Sequence, residues 1–85
     1  MAVYTIMNLK RSSSVSTISE LIDAVMDGYV NWREESAAVE AAYHTWRGAS
    51  PDQRTLAFDD YFAALDREEQ AASEYRRLVE SAEAA

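Results

Sequence analysis

The chain contains no cysteine, so disulfide staples and thiolate metal sites are excluded, and the redox compartment is left open. It has one histidine, one proline and two glycines. Two glycines do not make a phosphate-cradling loop, and a lone imidazole does not make a zinc or di-metal centre. No apolar run approaches the roughly 20 residues of a membrane span. The apolar stretch Met1–Leu9 has no charged region before it, and Lys10-Arg11 come after it, so no signal peptide is expected. Positive charge is scarce as well. Eight basic residues against fifteen acidic ones leave a net charge of −7, which opposes binding to nucleic-acid phosphates or anionic lipid.

What the chain does have is apolar side chains. Of its 85 residues, 48% are hydrophobic and 11% aromatic. That length suits one domain and buries only about 60–65% of the surface exposed on unfolding. Among the basic residues only Lys10 is a lysine. With the abundant alanine, that bias suggests a GC-rich genome such as an actinobacterium or its phage.

Two regions differ in character. Residues 1–16 combine a short β-prone stretch, Val3-Tyr4-Thr5-Ile6-Met7, with a Ser-rich run, and read as a flexible tail or a segment that orders on a partner. Thr17-Ile18-Ser19-Glu20 fits a capping box at the start of a helix. From there apolar residues recur every seven positions. Ile18, Val25, Trp32, Val39 and Trp46 share one heptad position; Ile22, Tyr29 and Tyr43 share another, with Ser36 the exception. That spacing gathers them on one helical face. Gly28 costs about 1 kcal/mol relative to Ala inside a helix. The heptad phase nevertheless crosses it unbroken, which favours one helix over two.

Near the middle, Gly48 is suited to the left-handed conformation that ends a helix. Ser50-Pro51-Asp52-Gln53 then supplies an N-cap, a proline for the first helical position and an acid for the positive helix end. A stop followed so closely by a start forces the two helices to lie antiparallel. Phe58, Tyr61, Leu65, Ala72, Tyr75 and Val79 form the expected stripe of the second helix, with Glu68 among them. The predicted organisation is a tail over 1–16 and a hairpin over 17–82: helix 17–47, turn 48–50, helix 51–82.

The candidate chemistry is thin. His44 lies one turn after Glu40, but neither the spacing nor the number of ligands fits a carboxylate-bridged metal pair. The acidic runs Glu34-Glu35, Asp59-Asp60 and Asp66-Arg67-Glu68-Glu69 read as a wet helical face, because paired catalytic carboxylates need a desolvated pocket. The serines have no suitable histidine to activate them. No enzyme activity, cofactor, metal or small-molecule substrate is expected. The aromatic supply is the positive clue, since one seam between two helices cannot hide it all and rings are favoured where a partner closes over them.

The turn carries a resemblance. A Trp-x-Gly turn between two long amphipathic helices, here Trp46-Arg47-Gly48, resembles the WXG superfamily of small proteins exported by type VII (ESX) secretion. The resemblance covers about residues 17–82 and implies homo- or heterodimers that form four-helix bundles. It also implies export without a cleaved signal peptide. The family's Tyr-x-x-x-Asp/Glu export signal is not matched, because Tyr75-Arg76-Arg77-Leu78-Val79 places a valine at the acidic position.

The sequence therefore predicts an all-α, antiparallel two-helix hairpin, coiled-coil-like, that completes a bundle by self-association; three helices with a break at Gly28 is the alternative. Its expected role is a non-enzymatic, cytoplasmic protein–protein interaction module, a homo-oligomer or the pair of a similar helical chain. Tyr29, Trp32, Tyr43, Trp46, Phe58 and Tyr61 are expected to carry the packing, and Gly48, Ser50 and Pro51 the turn. Two alternatives stay open: an acidic inhibitor or adaptor of a basic regulatory or nucleic-acid-binding protein, and a type VII secretion substrate.

Overall fold

Heptad spacing on both sides of one turn yields two helices that bury a shared seam, and the computed structural model has that form. It describes residues 2–85, with side chains from Ile18 onward. Helix α1 spans Ala2–Arg47 and helix α2 spans Arg54–Ala84, and the two pack against each other as an antiparallel hairpin. The start expected at Thr17, like the flexible tail expected over 1–16, falls on residues whose side chains lie outside that description. No strand occurs among the described residues.

Helix α1 continues through Gly28, which removes the three-helix alternative. The glycine is there for the neighbouring helix. It is buried, and a Cβ added to it would stand 2.8 Å from Leu78 Cδ1 and 3.7 Å from the Tyr75 Cα. The Tyr75 backbone stands at an ordinary contact distance, so it is the tip of the Leu78 side chain that would have to shift to admit a larger residue.

Small residues continue that close approach along α2. Among the described residues the buried hydrophobic positions are Ala57, Ala64 and Ala71, one per heptad, with Ala64 only 1% exposed. The centre of the seam thus lies one residue before the expected stripe. Tyr61, Leu65, Glu68, Ala72, Tyr75 and Val79 flank it half-buried, and Phe58 is exposed. A ring at the centre would hold the helix axes apart, whereas a methyl group lets them close, and the rings then wrap the seam from the side.

The turn is built differently from the helix cap read in the sequence. Neither glycine has a positive φ, so Gly48 does not use the left-handed conformation. Helix α1 closes with Gly48 N–H donating to the His44 carbonyl at 3.1 Å and Ala49 N–H to the Trp46 carbonyl at 3.2 Å. The second bond is the tighter i→i−3 type, which satisfies a late carbonyl without any left-handed residue. Ser50-Pro51-Asp52-Gln53 then forms a turn of its own, Gln53 N–H donating to the Ser50 carbonyl at 3.0 Å. Proline, with its fixed φ, sits at the second position of that turn. Gln53 takes the N-cap place with no side-chain cap bond, and Ala57 N–H donating to the Gln53 carbonyl at 2.9 Å opens the ladder of α2. The connection therefore runs from Gly48 to Gln53, and α2 begins three residues after Pro51.

The two glycines should respond oppositely to substitution. Gly28→Leu should destabilise the hairpin by about 1–3 kcal/mol through overpacking against Leu78 and Tyr75. Gly48→Ala should change stability by no more than about 0.5 kcal/mol, because its added Cβ meets only the His44 carbonyl at an ordinary 3.6 Å. Urea unfolding of both variants checks this; equal sensitivity at the two positions contradicts it.

Candidate interaction surface

The residues expected to carry the packing form two ring clusters on one broad face of the hairpin. In the first, Tyr29 meets Trp32 edge-on at 6.0 Å and Tyr75 at 5.7 Å, while Trp32 and Tyr75 stack 7° from parallel at 5.8 Å. In the second, Tyr43 meets Trp46 at 6.1 Å and Tyr61 at 5.7 Å, while Trp46 and Tyr61 stack 7° from parallel at 5.7 Å. The two clusters are near copies. Tyr-x-x-Trp recurs two heptads further along α1, and the partner tyrosines of α2 recur two heptads back, a translation of about 21 Å at 1.5 Å per residue. Tyr75, outside the expected set, thus plays the part in the first cluster that Tyr61 plays in the second. The signal for it was a side-chain repeat longer than the single heptad.

Between the clusters lies a layer of different chemistry, formed by Ser36, Val39 and Glu68. The Trp32 indole Nε1–H donates to Glu68 Oε1 at 2.8 Å, and Ser36 Oγ lies 3.4 Å from the same oxygen. A carboxylate on the apolar stripe is tolerated because the indole, which needs an acceptor when half-buried, supplies the donor. Cross-helix charge pairing uses Arg67 Nε and Glu35 Oε2 at 3.3 Å. Among the described residues Arg33 takes no part in such a pair.

The ring face stays apolar beyond the clusters. Trp46 meets Phe58 at 5.5 Å, and Phe58 meets Phe62 at 5.9 Å. Phe62 is 56% exposed and Met26 63%, and Ile22 and Tyr29 lie open beside them. The opposite face is polar. Its shallow depressions are lined by Asn31, Glu35, Arg67, Gln70 and Glu74, and by Asp66, Ser73 and Arg77. There Arg77 Nε and Nη2 donate to Glu74 at 2.9 and 2.6 Å, and that hydrogen bonding lowers the Glu74 pKa. Leu56 shares its heptad position with Gln70 and is exposed away from the rings.

Other residue chemistry is sparse. His44 Nε2 lies 3.9 Å from Glu40 Oε1, both side chains exposed. Among the described residues no group of three or more His, Cys, Asp or Glu is placed to hold a metal ion. No helix in that set is long and apolar enough to cross a membrane. Comparison of the chain with protein families, curated proteins and solved structures finds no match. The arrangement itself carries the functional reading: a two-sided rod with aromatic side chains along one face and charged ones along the other.

The Trp32–Glu68 bond should be visible in stability. Glu68→Ala should cost about 1–3 kcal/mol by leaving the indole donor half-buried without its acceptor. Glu68→Gln, which keeps a carbonyl oxygen, should lose less. A double-mutant cycle with Trp32→Phe should give clear coupling between the two sites; independent effects would remove this bond from the account.

Proposed function

We propose that the protein is a non-enzymatic helical interaction module that pairs with a second copy of itself, or with a similar helical chain, through its ring face. One observation carries this reading. The hairpin's own seam buries three alanines, while Ile22, Met26, Tyr29, Phe58 and Phe62 remain open on the ring face.

The magnitudes favour association. An alanine contributes one methyl group to burial, on the order of 1 kcal/mol. A large aromatic or aliphatic side chain contributes about 1.5–3 kcal/mol when fully covered. The contribution of the open side chains Ile22, Met26, Tyr29, Phe58 and Phe62 is therefore realised only when something closes over that face. A second hairpin laid on that face makes a four-helix bundle, the arrangement in which two slender helices each gain a second apolar neighbour. Alanine-lined hairpins with a polar outer face suit this role, since the charged side keeps the assembly soluble.

The reading assigns the protein to the cytoplasm, where it acts by association rather than by chemistry. The compositional hint of an actinobacterial or phage source belongs to the same proposal.

Light scattering should report a mass at least twice that of the chain at micromolar concentration. Met26→Asp combined with Phe62→Asp should weaken association by at least about tenfold, since each buries a charge against rings. Circular dichroism should still show a helical chain at high concentration. A strict monomer across the concentration range, with dry indoles by tryptophan fluorescence, overturns the reading.

A further inference from the structure

Resting on the self-association proposed above, we infer that two copies pair antiparallel, ring face on ring face. The twofold axis lies at the Ser36–Val39–Glu68 layer. Two features contributed by different residues locate that same centre. The first is the duplicated cluster. Tyr29 and Tyr43 are equidistant from Ser36, Trp32 and Trp46 from Val39, and Tyr61 and Tyr75 from Glu68. Reversal about this layer sets the first cluster of one copy on the second cluster of the other. The clusters have similar spacings, and reversal runs them in opposite order, turning Tyr29 toward the partner's Trp46 and Trp32 toward the partner's Tyr43.

The second feature is charge. Four residues on from Ile22, Tyr29, Ser36 and Tyr43 lies the row Met26, Arg33, Glu40 and Arg47. The row borders the ring face, as the Arg47 guanidinium shows by lying 5.7 Å over the Tyr43 ring. Arg33 and Glu40 are symmetric about a point between Ser36 and Ala37, about one residue from the mean of the ring-pair centres Ser36 and Val39. Reversal therefore sets Arg33 against the partner's Glu40, and Glu40 against the partner's Arg33, while Met26 lies along the stem of the partner's Arg47. On α2 the same operation brings Arg76 over the partner's Phe58 and Phe62. It also leaves Glu69 near the partner's Glu69, at the solvent-open rim where repulsion is screened.

A parallel pairing of the same faces lays α1 on the partner's α2. Because Tyr43 is level with Tyr61, Glu40 then stands over the Phe62–Leu65 stretch of the partner. A carboxylate over apolar side chains is an unpaired charge, which weighs against that arrangement, although it sets Arg33 near the partner's Glu69.

The natural absence of cysteine makes the test direct. Ser36→Cys provides a single thiol beside the twofold axis, and mild oxidation should convert it to a covalent dimer. Ser50→Cys, at the turn, should not cross-link, since the turns lie at opposite ends of the pair. Arg33→Glu should weaken association about tenfold in low salt, and adding Glu40→Arg should restore it. A dimer by light scattering that cross-links through Ser50→Cys, or through neither position, overturns this geometry and leaves the association intact. A monomeric protein overturns both.

Discussion

The close approach of α1 and α2 is the constraint on which the other features depend. Gly28 admits Leu78 and the Tyr75 backbone, and Ala57, Ala64 and Ala71 continue the same narrow line along α2. Interiors are packed to crystal-like density, so a seam lined with methyl groups has no volume for an indole or a phenol. The two Trp and the Tyr side chains opposite them are displaced sideways onto one face. There they stack across the seam in pairs, more covered than open. A wider seam would have hidden the rings between the helices and left no apolar face.

That displacement explains why a carboxylate is acceptable on the stripe. Glu68 lies beside the seam, within reach of the Trp32 indole and the Ser36 hydroxyl. Slipping α2 by two heptads would set Tyr61 against Trp32, or Tyr75 against Trp46, and separate Glu68 from its donors. The duplicated clusters, which resemble each other closely, make such a slip less costly in ring packing alone, so a single polar layer between them matters for register. The short connection from Gly48 to Gln53 acts in the same sense from the other end of the hairpin.

Much of this was legible in the sequence, and the remainder was hidden for identifiable reasons. The heptad from Ile18 to Trp46 gathers Tyr29, Trp32, Tyr43 and Trp46 correctly, because large apolar side chains set a period that tertiary contacts respect. The centre of α2 was misplaced by one residue because alanine is both apolar and the best helix former. In an alanine-rich chain, Ala57, Ala64 and Ala71 do not stand out from their neighbours. Gly28 reads as a weak helical position until Leu78 is placed against it, since helix propensity concerns one helix and close packing concerns two. Ser50-Pro51-Asp52-Gln53 suits a helix cap and a four-residue turn equally, as both use proline at the same φ; the hydrogen bond from Gln53 N–H to the Ser50 carbonyl decides between them.

The duplication also bears on specificity. Aromatic surfaces attract without much direction, and a face carrying the same cluster twice offers a partner two placements about 21 Å apart at 1.5 Å per residue. Ring packing alone would populate both. Charges are the groups that discriminate, because juxtaposing like charges or burying one without a partner costs far more than a misplaced ring. In this chain Arg33 and Glu40 stand within the span between the two clusters, where each placement sets them against different neighbours. A self-paired hairpin that satisfies both rows has one register, while a slipped one leaves one cluster uncovered and both charges mismatched. In the proposed pairing, affinity on this face thus comes from Tyr29, Trp32, Phe58 and Phe62, and selection of the register from two residues that contribute little to it.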